Sequence, residues 1–431
     1  MAIATNVITF YVTLLILRHF SADQISTTFA FSETEATTER PRGCSINING
    51  HLKKSSRLIL HPYSGSTDGY RFFLPSAGQK DLSFQNGQGV VFACPQGLYE
   101  HARCHGGEIF QFTTPVREVN ITDVICRRQL RASVRNLGRC YNNEHHHLGI
   151  GILLRQDQST HEFIKLIDVC FNQQLKTSIY AKFTLMQGVE NSQKNVKRST
   201  FNCTQYFGYQ TQQFDEFYDR GNQYTKLLDL LGSVNQTERF FNRSIRSDLY
   251  LTRSYLVGFR DFIYYSQQQA TSFCVNSVPI WQVIRKGNWR NLEIRIRQYA
   301  NMKGKDLTVY SGTHGVLNLP DVNDTSVPIY LGIDENGKGV LPVPKLLWKL
   351  VYDRLMRKGI VFVGINNHDR GLNRTQYEVC SDVCNSTESW FNGWNRFKIE
   401  LGYVYCCTVT EFLHVTNAIP EFRDTVIDIL S

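Results

Sequence analysis

Past its first thirty residues the chain has no apolar run approaching the roughly 18 residues of a membrane span, no internal repeat and no low-complexity segment. A later membrane-spanning helix and a repeat architecture are therefore not expected. The amino terminus holds one apolar run, Val7 to Leu17, of signal-peptide length and too short to cross a bilayer. It lacks a preceding Lys or Arg, which leaves the α-amine as its only positive end. Residues 1–22 are expected to be a signal peptide, with cleavage after Ala22 or as late as Ala30, and the product to be soluble, secreted and without a membrane partner. The triplet His145-His146-His147 lacks a Cys or Asp at ligand spacing, so a surface loop is expected there and a metal site is not.

What is present fits a folded, basic, extracellular protein. The 431 residues suffice for two domains with cores of their own, and 42% hydrophobic with 20% charged residues is a globular balance. A formal charge of +9 favours a polyanionic partner without identifying one. Twelve cysteines and the sequons at Asn120, Asn202, Asn235, Asn242, Asn323, Asn373 and Asn385 point to an oxidising compartment and a glycoprotein. In that setting Cys380-x-x-x-Cys384 and Cys406-Cys407, which look like a zinc or redox cluster, are expected to be disulfides.

Residues 31–43, FSETEATTERPRG, are polar, acidic and poor in aromatics, the composition of a short disordered leader. From Cys44 to about residue 180 the runs RLILHPY, YRFFLPS, GVVFACPQG, GEIFQFTT, LGIGILLRQ and EFIKLIDVCF, divided by turn residues, predict an antiparallel β domain at 44–180. Cys44, Cys94, Cys104, Cys126, Cys140 and Cys170 fall inside it and could close three disulfides, in any of about 15 pairings. Residues 186–200 are polar and basic, a linker or the first loop of a second domain at 190–431. There Tyr224, Leu227, Leu228 and Leu231 form a helical stripe stopped by Gly232, and 248–265 and 271–284 are β-rich. Trp289, Leu292, Ile296 and Tyr299 mark an amphipathic helix over 288–302, starting near Gly287.

Residues 251–297 carry the most specific pattern. In order they contain Arg253-Ser254-Tyr255-Leu256, Asp261-Phe262, Gln268-Gln269-Ala270-Thr271-Ser272-Phe273, Asn276-Ser277-Val278-Pro279-Ile280, Arg285-Lys286-Gly287-Asn288-Trp289 and Glu293. This succession resembles the catalytic segment of the DNA/RNA non-specific endonucleases. Their pattern runs Arg-Gly-His-Leu, Asp-Phe, Gln-x-Ala-Thr-Phe, Asn-x-x-Pro-Gln and Asn-x-Gly-Asn-Trp-x-x-x-Glu. Downstream, LTVYSGTHGVLNLPD, SVPIYLG, PVPKLLWKLVYD and GIVFVGINNHD resemble the later core strands of that family, so the resemblance covers about residues 200–425. The segment before it resembles, more loosely, the amino-terminal β domain of secreted insect nucleases. The implied architecture is α+β, an N-terminal antiparallel β domain followed by a ββα-metal nuclease-like domain.

Two positions depart from the resemblance where it carries chemistry. In the family the His is the general base that activates water, and the Asn before the Gly holds the Mg²⁺ that polarises the phosphate. Tyr255 and Arg285 stand at those positions here. A phenol with a pKa near 10 is about one part in a thousand ionised at neutral pH, which makes it a poor base. A guanidinium has no lone pair to offer a dication and repels one. Ser254 and Ile280 also replace the family's Gly and Gln. Arg253, Asn276 and Glu293 match residues that the family uses to contact phosphate or to orient water and ligand. His314 and His368 fall in segments that resemble later structural strands and turns, and replacement catalysis by them is not expected.

Around this segment Arg285, Lys286, Arg290 and Arg297 gather positive charge, with Arg295, Lys303 and Lys305 nearby. Arg290 and Arg297 are about two turns apart on one helix face and suit successive phosphates. Tyr255 could stack on a base or sugar while Arg285 pairs with a phosphate, or Glu293 could instead neutralise Arg285. The expectation is a secreted protein that binds DNA and/or RNA without sequence preference, catalytically impaired or inactive, with no cofactor. Two alternatives stay open: a weakly active Mg²⁺-dependent endonuclease hydrolysing phosphodiesters, and a secreted pseudoenzyme that binds another protein.

Overall fold

Alternation of buried and exposed positions turns most of the apolar runs into antiparallel strands. The computed structural model describes residues 43–431 apart from 53–55, 63–70, 77, 95–97, 125, 127–128 and 157–160. The signal segment and residues 31–42 of the leader lie outside the described residues, which all belong to one unit, Pro41–Ser431.

A five-stranded sheet comes first, in the order Leu58–Leu60, Gly89–Cys94, Leu98–Cys104, Ile109–Thr113 and Val116–Asn120. Phe84, Phe92, Phe110 and Phe112 pack together with centroids 5.3 to 5.6 Å apart. Among its described residues the YRFFLPS run forms one isolated bridge, Phe72 to Leu60, beside which Phe73 is buried and stacks on His61 with ring centroids 3.6 Å apart. Cys44–Cys104, Cys94–Cys126 and Cys140–Cys170 close the three disulfides of the six-cysteine set.

The rest of the fold follows the chain order β1 (Arg131–Cys140), β2 (His145–Gln156), β3 (His161–Asn172), β4 (Thr177–Leu185), α1 (Arg220–Leu231), β5 (Leu251–Tyr255), β6 (Ser277–Trp281), α2 (Asn288–Lys303), β7 (Leu307–Val316), β8 (Pro344–Asp353), β9 (Lys358–Ile365) and β10 (Val404–Cys407). Apart from the separate β5–β6 ribbon, these strands form one sheet in the order β10-β9-β8-β7-β4-β3-β2-β1. Its pairings along that order are antiparallel, and Asp428–Ile429 adds a ninth strand parallel to β9.

This sheet runs straight across the expected boundary between 180 and 190. Strand β4 pairs with β7 from Tyr180–Gly312 to Leu185–Leu307, so residues 131–185 and 307–407 share one hydrogen-bond ladder. Residues 186–200 are correspondingly no free linker. Gln193 is buried, donating to the Leu52 carbonyl and accepting from the Tyr265 N–H. The histidine triplet is no loop either. It opens β2, where pairing with β3 sets the His147 ring nitrogen 2.8 Å from the Asp168 carboxylate.

Both longer helices fall where their periodicity places them. Helix α1 buries Tyr224, Leu227 and Leu231, is capped by Asp219 and ends at Gly232 with φ of 78°. Helix α2 buries Trp289, Leu292, Ile296 and Ala300. Gly287 separates it from the short helix Gln282–Lys286, and a Cβ there would lie 2.6 Å from the Leu401 carbonyl oxygen. The β-rich stretches on either side of residue 270 shorten to β5 and β6, since buried amides claim the intervening backbone. Gln267 accepts from the Tyr264 N–H at 3.1 Å, and Gln268 donates to the Phe262 carbonyl at 3.0 Å.

Strand, connection, strand and helix thus form a ββα unit, docked on the large sheet through Trp289. Its indole occupies the space left by Gly364 of β9, where an added Cβ would come within 2.9 Å of the ring. Gly364→Ala is expected to lower the unfolding free energy by about 1–3 kcal/mol, the usual penalty for overpacking a filled core. Urea unfolding with the disulfides intact measures this as a lower midpoint at unchanged slope. An unchanged midpoint would remove the Trp289–Gly364 contact as an anchor of the helix.

Candidate functional site

Strand β5 and helix α2 both line a cleft of about 300 Å³. Among the described residues, six cationic side chains enter its lining, Arg198, Arg260, Arg285, Lys286, Arg290 and Arg297, against the single carboxylate of Glu293. Two of the six are already neutralised. Lys286 Nζ lies 2.7 and 3.0 Å from the two oxygens of Asp248. Arg297 Nη1 lies 2.7 Å from Asp261 Oδ1, in a pair whose side chains are only 12% and 6% exposed. The second Asp261 oxygen accepts the Gly258 N–H at 2.7 Å, which fixes this pair in place. Arg198, Arg260, Arg285 and Arg290 have no carboxylate within 4.0 Å among the described residues, and Arg285 donates to Gln282 Oε1 at 3.1 Å.

Glu293 does not pair with Arg285. Its partner is Lys349 of β8, whose ammonium lies 3.6 Å from Glu293 Oε1 and is itself almost fully buried. Lys349 also donates to the Leu256 carbonyl and to Ser311 Oγ, both at 3.0 Å. Burial pushes the Glu293 carboxyl above the ordinary carboxylate range, while the Lys349 ammonium pulls it down and Asp261 adds a smaller upward effect. Arg285 acts on Glu293 only through space.

Tyr255 ends β5 and reaches the cleft. Its ring stacks on Phe201 with centroids 5.1 Å apart and planes 19° from parallel. Phe201 is held there by its neighbours, since Asn202 N–H donates to the Ser272 carbonyl at 3.0 Å and Cys203 is disulfide-bonded to Cys274. Arg253, two residues before Tyr255 and so on the same side of the strand, lies over the other partner of this stack, 4.8 Å from the Phe201 ring centroid. It also sits 5.0 Å from Tyr218 and 5.5 Å from Phe214, and it pairs with Asp215.

The cleft therefore gathers Tyr255, Arg285, Lys286, Arg290, Glu293 and Arg297, and it leaves out Arg253 and Asn276. Asn276 is fully buried and clamps a turn. Its amide oxygen accepts the Val257 N–H at 3.0 Å, and its amide nitrogen donates to the Val257 and Thr271 carbonyls, each at 3.0 Å. Arg295, Lys303 and Lys305 stand outside the lining, with Lys305 on Asp353 at 2.9 Å and Arg295 on Gln298 at 3.0 Å. Sequence reasoning missed Arg198, Arg260 and Lys349. Arg198 closes the basic stretch of residues 186–200, Arg260 precedes the Asp-Phe pair, and Lys349 ends the Trp-Lys of the β8 motif.

Neither isolated histidine approaches the cleft lining. His368 is buried with a ring nitrogen 3.0 Å from the Phe240 carbonyl, and burial lowers the pKa of both His368 and His314. Asp382, Cys384 and Cys406 come together, but Cys384–Cys406 is a disulfide, as is Cys380–Cys407, and Asp382 lies 2.7 Å from Arg396. Chemically the cleft suits a polyanion. Planar guanidinium forks match phosphate oxygens bidentately, and the Tyr255 ring, stacked from behind on Phe201, borders them. It does not suit a divalent cation, because the one carboxylate in the lining is engaged by an ammonium and the remaining charge is positive.

Comparison with known proteins adds sequence kinship to this geometry. A family model described as DNA/RNA non-specific endonuclease matches residues 151–412, a range that begins inside β2. A salivary endonuclease of Lutzomyia longipalpis is 29% identical over 254 residues, which are 58% of this chain and 57% of that protein. The chain thus spans little more than half the length of that relative. The salivary protein Tsal2A of Glossina morsitans morsitans is 23% identical over 88% of this chain and 92% of its own length. Among solved structures, one described as an EndoG/EndoGI complex aligns at a TM-score of 0.32 and 14% identity, covering 56% of this chain and 87% of that one.

The three hydrogen bonds of Asn276 give it a measurable role apart from any ligand. Asn276→Ala strands a buried N–H and two carbonyls and is expected to cost about 2–5 kcal/mol of stability. Denaturant unfolding of the two proteins side by side checks this, and a midpoint equal to that of the unaltered protein would sink the clamp assignment.

Proposed function

Since this chain belongs to the DNA/RNA non-specific endonuclease family, we propose that it is a secreted protein which holds DNA or RNA without sequence preference and has lost the family's hydrolysis. The charge balance of the cleft carries this reading. Among the described residues, four arginines without a carboxylate partner face one carboxylate that Lys349 already engages. Such groups grip the phosphate backbone, which is the same for every sequence. The Tyr255–Phe201 stack adds a surface suited to a base or a sugar, again without regard to sequence.

The residues at the two altered positions support loss of turnover. Water attacking a phosphodiester needs a group to accept its proton. Among the described residues the lining offers a phenol stacked on an aromatic ring, and no histidine. Mg²⁺, which the family employs, does not fit a lining whose metal-ligand position carries Arg285. The salivary naming of relatives and six disulfides support an extracellular location.

Titration of a labelled duplex at several salt concentrations, with Mg²⁺ and with EDTA, tests both halves of the proposal. Binding should be independent of Mg²⁺ and leave the duplex intact. Its logarithmic salt slope should lie at roughly −3 to −4, about 0.9 for each of four neutralised phosphates. Arg285→Ala should weaken it and reduce that slope by about 1. EDTA-sensitive cleavage would overturn the loss of turnover and favour a weak Mg²⁺-dependent nuclease. Absence of any binding would instead favour a partner protein.

The pH dependence follows from Glu293. Burial holds its carboxyl above the ordinary carboxylate range, so as the pH falls through that raised pKa the carboxylate of the lining is neutralised. Affinity for the duplex should therefore rise on acidification by a few-fold, in the direction set by removing one unit of repulsion. Glu293→Gln should bind more tightly at neutral pH and show a flatter profile. An affinity that falls on acidification would rule out Glu293 as the controlling charge.

A further inference from the structure

A second cavity, of about 190 Å³, shares no lining residue with the cationic cleft. Six of its lining residues are apolar: Leu227 and Leu230 from α1, Leu251 at the start of β5, Phe217, and Ile329 and Leu331. Asn222, Gln223 and Tyr330 add polar atoms to the lining, and the first two are engaged by the protein, Asn222 donating to the Glu216 carbonyl at 3.1 Å. Gln223 is buried and locked to the backbone of Leu251 in both directions, accepting its N–H at 3.0 Å and donating to its carbonyl at 2.9 Å.

Lys226 breaks the apolar character of the wall. It lies three residues after Gln223 and four before Leu230, hence on the same face of α1. It is half-buried and has no carboxylate within 4.0 Å among the described residues. Burial lowers its pKa, the mark of an ammonium short of both water and counter-charge. Glu216 also reaches the lining but is exposed to solvent, and its charge disfavours a ligand bearing more than one negative group.

We infer that this cavity binds a small amphiphile with a single anionic head, its apolar body between Phe217, Leu227, Leu230, Leu251, Ile329 and Leu331 and its head on the Lys226 ammonium. An apolar cavity of about 150 Å³ accepts a benzene ring. The space here suits one aromatic ring or a short alkyl chain, so a medium-chain fatty acid and an aromatic carboxylate share the required chemistry. Nothing in this assignment depends on the cleft or on nucleic acid.

Isothermal titration of the full, disulfide-intact chain with octanoate, 3-phenylpropanoate and octylamine tests it. At least one carboxylate should bind saturably at one site per chain and more tightly than octylamine. Preference for octanoate would assign the body as an alkyl chain, and preference for 3-phenylpropanoate as an aromatic ring. Lys226→Met should weaken the bound carboxylate at least tenfold, and Leu230→Trp, which fills the cavity, should abolish binding. Arg285→Ala, confined to the other cleft, should leave it unchanged. Lys226 is partly exposed and its replacement should leave the unfolding midpoint unaltered, which keeps the test independent of folding. Failure of both carboxylates to bind, equal affinity in Lys226→Met, or tighter binding of octylamine would overturn the inference.

Discussion

One buried ammonium ties the fold to its cleft. Lys349 rises from the large sheet with almost no exposure, and a charge in that position is tolerated only when its donors are satisfied and a counter-charge is near. It meets Ser311 on the neighbouring strand, the Leu256 carbonyl just past β5, and Glu293 on α2. Those contacts join the sheet, the ribbon and the helix at one point. Trp289, one turn before Glu293, fixes the helix against Gly364 on the same surface. Once these two residues are seated, Arg290 and Arg297 are carried to the cleft by the geometry of the helix alone.

Distribution, more than net charge, makes the cleft positive. The formal excess of nine charges belongs to the whole chain. Around the ββα unit, acids stand beside particular cations: Asp215 beside Arg253, Asp248 beside Lys286, Asp261 beside Arg297. The first and last of these pairs hold backbone and side chains in place and add little to the field. What remains is a concave wall of arginines without a carboxylate partner among the described residues, where the low-dielectric surroundings concentrate the potential. Tyr255 and Arg253 share Phe201 between them, so the aromatic border of the cleft is positioned by a cation that does not itself reach the cleft.

The local parts of this arrangement were legible in the sequence. Periodicity and a glycine stop gave α1, and the apolar positions from Trp289 onward gave α2 almost to the residue, because a helix is decided by neighbours within a few positions. Tyr255, Arg285 and Glu293, neighbours in the motif order, line one cleft. The long-range parts were not legible. The run LTVYSGTHGVLNLPD holds β7, whereas the residues of β4 stand out as no strand in the sequence, and nothing in a two-residue period names a partner more than a hundred residues away. Motif identity also says nothing of contacts. Arg253 and Asn276 keep the residue types of the resemblance, yet one is bound among aromatic rings with Asp215 and the other closes a turn.

The uninterrupted sheet has a consequence for the order in which the molecule can be made. Strand β4 leaves the ribosome with β1 to β3 already able to fold beside it, but the strand that covers its other edge is encoded more than a hundred residues later. At roughly 5–20 residues per second, that edge stays open for seconds during synthesis. Six of the nine residues of strand β4 are buried in the finished protein, so the waiting strand exposes surface that the complete fold covers as well as an unpaired edge. The nascent chain therefore passes through a stage in which its first half is a template for intermolecular pairing, and the arrival of β7 closes that edge while joining the two halves into one sheet.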